Sequence, residues 1–535
     1  MASLLSQPYG HLSALLLLLC VAPIFYLTGL AVYRIFFHPL AKHPGPLVAK
    51  VTDLYSTYHA WKGDRHIDFW RCHEQYGTIV RFGPSSLSFN SATALKEIYG
   101  FKANVRKGDF YLAFPATKDS FSTHSAVDKA THARKRRVLS HAFSDSAIKS
   151  MEKYILSHVR QLCTNLGEKG AGSRNNLFAP EKSGRVWSEA KNMSLQADYT
   201  TFDIMGDLCF GKAFGMLERP DNRFAIDLIS NAAHRHLMCG TYLPLHEYHI
   251  DKLLFRKIAG MRERYMQFSK GQAAERMQMG EDVNRKDFFY HLLKAKDPET
   301  GKGFSTPELW GESNLLIIAG SDTTSTALAA SIFYLVHNSR VLAKLAAEVR
   351  AAFSDVEEIC GGATLSKLQY LRACLDEAMR MSPSVGGLLP RQVLHGGMEV
   401  EGHKLPEGTV VGVPHYGIQH NPAYHPEPFE YKPERWIPGS EPDITSESVN
   451  VAQSAFCPFS IGPRGCIGKS MAYLELTVAL ARVIWLYDMR LAPGSHVGEG
   501  STDLEFGRHR SREFQLKDTF TSAKDGPMVE FTARV

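Results

Sequence analysis

Phe459-Ser460-Ile461-Gly462-Pro463-Arg464-Gly465-Cys466-Ile467-Gly468 sets one cysteine in a turn punctuated by glycines, and an apolar pattern of helical spacing follows through Leu474 and Val478. Glycines permit backbone angles and close approaches that side chains forbid, while a helix start offers amide donors and a positive dipole end. Both favour a thiolate over a thiol. A lone cysteine is ordinarily buried and inert; the glycines, the arginine and the helix start around Cys466 argue instead for a ligand. No second Cys or His stands at zinc spacing beside it, which excludes a zinc site.

Upstream of this loop, Glu377 and Arg380 lie three apart in Asp376-Glu377-Ala378-Met379-Arg380, on one face of a predicted helix. Spacing alone gives no more than a surface ion pair, worth little. The stretch from Thr306 to His337 is long, apolar and free of proline after Pro307, which predicts a long buried helix. Ala319-Gly320-Ser321-Asp322-Thr323-Thr324 interrupts it with a glycine and a polar cluster. Buried polar groups cost free energy unless hydrogen-bonded, so the cluster either serves chemistry or bonds back to helix carbonyls.

With these residues in this order, the chain resembles the cytochrome P450 family, whose cysteine loop reads Phe-x-x-Gly-x-Arg-x-Cys-x-Gly. Phe459, Gly462, Arg464, Cys466 and Gly468 match all its fixed positions. The resemblance implies haem b (iron protoporphyrin IX) with Cys466 as its axial iron ligand, Arg464 on a propionate, Phe459 packed under the ring and Gly468 letting the next helix approach it. It implies that Asp322 and Thr323 deliver protons to bound dioxygen, and that Glu377, Arg380 and the Arg435 of Pro433-Glu434-Arg435-Trp436 form a buried structural triad. An early helix of the family carries Trp-x-x-x-Arg on the propionates; His132-Ala133-Arg134-Lys135-Arg136 replaces the Trp by His, so either both His132 and Arg136 bind there or only Arg136 does. Arg391 resembles a further propionate position. The Phe37-His38-Pro39-Leu40 and Arg137-Val138-Leu139-Ser140-His141-Ala142-Phe143-Ser144 stretches resemble filamentous-fungal members, including those that tailor secondary metabolites.

At the other end of the chain, no Lys, Arg, Asp or Glu occurs before Arg34, and Leu12 to Tyr33 would reach about 33 Å as a helix, enough for a bilayer core. A cleaved signal would have a basic leader and a shorter apolar core. Residues 1–36 are therefore predicted to be a membrane anchor, 37–50 a stiff proline-rich neck and 51–535 a single haem-thiolate catalytic domain. Arg34, Lys42 and Lys50 follow the span, which predicts a cytosolic body, and the resemblance implies the endoplasmic reticulum membrane. Asn192-Met193-Ser194 then escapes glycosylation despite its motif.

A composition of 44% apolar and 22% charged residues excludes disorder. A net charge of +6, from 61 basic against 55 acidic residues, is too small an excess to imply nucleic acid. Nine cysteines without paired spacing exclude a disulfide framework. The expected class is mainly α with a minor sheet, in a cytochrome P450-like fold behind one transmembrane helix. Strands are predicted at Thr78 to Phe82, Ser86 to Phe89, Met398 to Val400 and Thr409 to Val413, and surface loops at 167–174, 438–448 and 493–502.

No Gly-x-Gly-x-x-Gly marks a flavin or nicotinamide site, so electrons must come from another protein. The resemblance makes it the membrane-bound NADPH–cytochrome P450 reductase, with molecular oxygen as co-substrate. The run Arg134 to Arg137 either faces an acidic donor protein or is an ordinary solvated helix face. Phe110 to Phe114, Leu316 to Gly320, Val385 to Leu388 and Phe520 to Ser522 are the implied pocket segments for a hydrophobic small molecule, with Gly386 and Gly387 leaving room for bulk. Two other functions fit a haem-thiolate chain: an isomerase or dehydratase needing no reductase, and a non-enzymatic haem protein. Both would make Asp322 and Thr323 superfluous.

Overall fold

The computed structural model describes residues 21–115, 121–167, 186–279 and 285–534. Helices dominate. Those that build the site are α1 (Lys129–Ser140), α2 (Asp145–Gly167), α3 (Met193–Phe210), α4 (Phe224–Thr241), α5 (Arg256–Gln278), α6 (Thr306–His337), α7 (Ser339–Ala352), α8 (Gln369–Met381), α9 (Ser446–Ala455) and α10 (Lys469–Leu486). The long helix appears as expected in α6, opened by a capping box between Ser305 and Glu308. Its length and hydropathy would suit a membrane, but it is mostly buried against other helices. It packs most extensively on α3, where Gly320 lets Met205 close in: a Cβ at 320 would lie 2.7 Å from the Met205 Sδ.

The minor sheet has five strands, β1 (Ile79–Gly83), β2 (Ser86–Phe89), β3 (Val105–Lys107), β4 (Arg391–Val393) and β5 (Val410–Gly412), in the order β1-β2-β5-β4-β3. All pairs are antiparallel except β2 with β5, where Ser86 faces Val410. A small hairpin forms at Met398–Val400 as predicted. The stretch 493–502 lacks regular structure, but the 438–448 loop ends early, because Thr445 caps α9 through Ser448 and the helix starts at Ser446. Most of the loop expected at 167–174 lies outside the described residues.

Val21–Phe37 is an apolar helix with Phe25, Tyr26, Phe36 and Phe37 exposed, as a membrane-facing segment requires. Residues 1–20, the first part of the expected anchor, lie outside the described residues. The neck is not a free spacer. Leu40 is buried in the core beneath the five-stranded sheet, Arg81 donates its backbone N–H to the Pro44 carbonyl at 2.7 Å, and Leu47–Val51 is a short helix. Gly45 permits this docking, since a Cβ there would stand 2.2 Å from the Arg81 carbonyl oxygen. Asn192 caps α3 and donates to Asp525 at 2.7 Å, so its amide is occupied in the fold.

Candidate active site

Cys466 lies three residues before α10. The loop is shaped by a 3₁₀ turn at Gly462–Arg464 and closed by the Cys466 N–H donating to the Phe459 carbonyl at 2.8 Å. Gly462 has φ +72°, and a Cβ there would stand 2.0 Å from the Tyr99 carbonyl oxygen, so no other residue fits. Gly468 is different. A Cβ there would meet Phe143 and the Cys466 sulfur at ordinary contact distances, 3.8 and 3.9 Å, so no protein atom demands the glycine. The cysteine opens onto a cavity of about 500 Å³ and is exposed to it while enclosed by protein. Burial pushes its thiol up; the Gly468 N–H, Arg136 and Lys469 oppose this.

The facing wall comes from α6. Ala319, Gly320, Thr323 and Thr324 line the same cavity as Cys466, Phe459 and Gly468. Thr323 Oγ1 donates to the Ala319 carbonyl at 2.6 Å, the bond back to the helix that a threonine cluster allows, and its lone pairs remain free to accept. Asp322 points elsewhere. Its carboxyl is raised by burial, against the pull of Lys524 and a Thr521 hydrogen bond, and Lys524 is itself paired with Asp198 at 2.7 Å.

Along one side of the cavity run Lys107, which is buried, and Arg136 and Arg464, which are half-buried; the buried Arg391 stands close to this group without lining the cavity. Arg464 donates to the carbonyls of Ala126 (2.6 Å) and Val127 (3.1 Å), and burial, helped by Arg391, brings it down to about 10. Arg136 donates to the Gly465 carbonyl at 2.8 Å. Arg391 opens β4 and stacks over Tyr99. Lys107 donates to the His124 carbonyl, and burial together with Arg391 and Arg464 pushes it well below the usual lysine range. His132 is held neutral, near a pKa of about 3, by burial and by Arg464, Lys107, Arg136 and Arg391. Among the described residues none of these four cations has a carboxylate within salt-bridge distance. Buried positive charge needs a partner. A dianionic group placed here, with a soft metal facing the Cys466 sulfur, would satisfy both halves of the site.

The opposite arrangement lies behind the cysteine loop. Glu377 takes Arg380 through two bonds of 2.9 Å, Arg435 at 3.1 Å, the Trp436 indole at 3.0 Å and the Lys432 N–H at 3.1 Å. Arg380 also donates to the Gln419 carbonyl (2.8 Å), and the Gln419 side chain accepts from the Cys457 N–H (3.1 Å), which ties the cluster to the segment entering the loop. Burial raises the Glu377 carboxyl, but Arg380 and Arg435 outweigh it and leave the group below the usual range.

The sequence profile of the family described as Cytochrome P450 matches residues 41–512. The chain is 40% identical to the cytochrome P450 monooxygenase AKT7 of Alternaria alternata, with 95% of each chain covered. It is 41% identical to the monooxygenase atnE of Emericella nidulans over 94% of each, and 39% identical to poxM of Penicillium oxalicum over 95% of this chain and 92% of that one. The chain belongs to the cytochrome P450 family. It is an oxidoreductase of the monooxygenase type, and the family implies a haem cofactor.

In this P450 the cavity gathers Cys466, Phe459, Arg464, Gly468, His132, Arg136 and Thr323, but its lining does not include Asp322, Arg391 or Gly462. The basic run of α1 is held by acidic partners within the fold, with Arg134 and Arg137 still partly exposed. Arg134 and Lys135 pair with Glu308, Lys135 also with Glu312, and Arg137 with Asp297, so α1 is pinned to α6 and the turn before it. Gly386 and Gly387 do not make room for a ligand; Cβ atoms there would approach His66 and Asp518 at 3.1 and 3.0 Å, so they serve close packing. Of the expected pocket segments, Phe114, Leu316, Ile318, Val385, Phe520 and Thr521 line the cavity, whereas Phe110 and Tyr111 pack in the core behind it. Sequence reasoning missed two groups. Lys107 had no motif around it, and Glu475 looked like any helical glutamate; burial raises the Glu475 carboxyl to about 8, and it too lines the cavity.

Proposed function

We propose that the protein is a haem-thiolate monooxygenase, anchored in the endoplasmic reticulum membrane with its body in the cytosol. It takes electrons from NADPH through NADPH–cytochrome P450 reductase and uses O₂ to hydroxylate or otherwise oxidise a hydrophobic small molecule of fungal secondary metabolism. The observation that carries the reading is the pairing, across one cavity, of an open cysteine sulfur with Lys107, Arg136 and Arg464, which have no carboxylate at salt-bridge distance among the described residues. The fungal monooxygenases similar to it along nearly their whole length support the same reading.

In this proposal Cys466 would ligate the iron of the haem, while Arg464, Arg136, Arg391 and Lys107, with the neutral His132 as a neighbour, would hold its propionates. Haem, when bound, supplies oxygen activation, and thiolate ligation favours O–O cleavage. The rest falls to the chain. Ala319, Gly320 and the apolar wall bring a C–H bond close and keep water out. Thr323 accepts and passes a proton at its hydroxyl, and Asp322, raised by burial and linked through Lys524 to Asp198, recharges that position.

Reduced protein under carbon monoxide tests the ligand. The thiolate-type Soret band is expected in the native protein and lost in Cys466→Ala; an unchanged band in the variant would overturn the assignment. A requirement of turnover for NADPH, reductase and O₂ separates this reading from an isomerase or a haem sink.

A further inference from the structure

One stretch of the cavity wall belongs to no helix or strand. Ser122, Thr123, His124 and Ser125 all line the cavity, yet they form an irregular turn braced only locally, by the Ala126 N–H donating to the Ser122 carbonyl at 2.9 Å and by Ser122–Ser125 hydroxyl bonds. Such a segment should have many conformations open to it. The His124 ring packs against Tyr111, Phe114 and Phe520, and side chains from the rest of the fold bond the segment's backbone at three places. Lys107 donates to the His124 carbonyl, Arg464 donates to the Ala126 and Val127 carbonyls, and Glu312 of α6 accepts the Thr123 N–H at 2.7 Å.

The three holds are not equivalent. Lys107 and Arg464 are members of the cation group, so their charge is shared with whatever anion fills the cavity. Glu312 is free of that duty. It is fully buried, and its Oε1 accepts both the Thr123 N–H and Lys135 Nζ (3.4 Å), while among the described residues Oε2 and the Thr123 hydroxyl have no partner. A charged acceptor for a backbone N–H gives a stronger bond than a neutral one, and no catalytic role described above needs a carboxylate at that place.

We propose that Glu312 is a positioning residue that fixes the 122–125 wall of the substrate cavity through the Thr123 N–H. This rests on the haem-thiolate reading of the same cavity, which it deepens. The wall would be set from α6, the helix that also carries Thr323, so substrate position and proton delivery share one frame. The charged and titratable groups facing Glu312 are Lys135, with Arg134 beside it on α1, and Glu308 one turn back on α6; both bases pair with Glu308. Burial raises Glu312 to about 6 against Lys135 and the Thr123 N–H, whereas Glu308, despite its burial, is held near 2 by the Ser305 N–H, Lys135 and Arg134. Glu312 therefore takes up a proton as pH falls through about 6, and the hold weakens with it.

The test uses the ferrous, haem-loaded full chain and two neutral iron ligands of different bulk, methyl isocyanide and tert-butyl isocyanide, with dissociation followed by carbon monoxide displacement. At pH 7.5, Glu312→Ala should release tert-butyl isocyanide about ten-fold faster, the loss of roughly one charged hydrogen bond, with methyl isocyanide unchanged. Glu312→Gln, which keeps an acceptor oxygen, should restore most of the native rate. In the native protein the bulky ligand should leave faster as pH drops below about 6, and Glu312→Gln should abolish that step. Equal rates for the bulky ligand in native and Ala variant, equal acceleration of both ligands, or a native rate flat from pH 5 to 8 would each overturn the proposal. A normal carbon monoxide band alongside any of these leaves the monooxygenase reading intact; absence of the band from the native protein sinks both.

Discussion

Two buried charge clusters flank the cysteine loop, and they are built on opposite plans. Around Glu377 each charge has a counter-charge in contact: one carboxylate takes two guanidiniums and an indole, with Glu377 and Arg380 fully buried and Arg435 nearly so. Around Lys107, Arg136, Arg391 and Arg464 nothing is matched by a carboxylate among the described residues. A closed network gains its energy from folding alone and belongs to the scaffold. An open one carries an unmet desolvation cost that a bound anion relieves, and so marks a place for a ligand.

The largest effect that could break this contrast is in the closed cluster. Glu377→Gln leaves Arg380 and Arg435 buried without their counter-charge and should cost about 3–5 kcal/mol, read by denaturant unfolding. Since the native Glu377 carboxyl is depressed below its unfolded value, its contribution is fully present above the ordinary Glu pKa and is lost as pH falls through the folded one. The variant should lack that acid-side slope; a small, pH-flat loss would show the cluster to be dispensable.

In the open cluster the expectation is a ligand effect. Lys107→Met should speed haem transfer to an acceptor protein about ten-fold, close to one charged hydrogen bond, while leaving the unfolding of the scaffold nearly unchanged. If Lys107→Met lowered stability as Glu377→Gln does, the two clusters would be of one kind after all. Thr323→Ala, outside both, should keep haem and thiolate spectrum and divert part of the NADPH to peroxide; constant product per NADPH would remove the proton-relay role. The smallest effect on the site belongs to deletion of residues 1–36. It should release protein from membranes without changing the haem spectrum, because the body is anchored by Leu40 and Pro44 downstream of the cut.

Some of this was legible because local chemistry forces it. Gly462 and Cys466 can be read from sequence, since a positive φ beside a helix start is a local demand. The long helix is legible from length and capping alone, as is the Ser86–Phe89 strand from its β-prone run between turns. The Glu377–Arg380 spacing was readable, but on its own looked like a surface pair; only its zero exposure makes it structural. Asp322 and Thr323 stood side by side in the chain, and a 100° step around α6 put Thr323 in the cavity lining and left Asp322 out of it. The α1 bases looked available to a partner until Glu308, Glu312 and Asp297, more than 150 residues away, took them up.

The sequence by itself determined the cysteine loop, the central helix and the order of motifs that make this chain a P450, because each depends on residues within a few positions of one another. The tertiary structure alone decided which charges are paired and which wait, that Lys107 and Glu475 reach the cavity, and that the 122–125 wall hangs from Glu312. Burial and long-range electrostatics depend on what packs against a residue, and no local pattern records that.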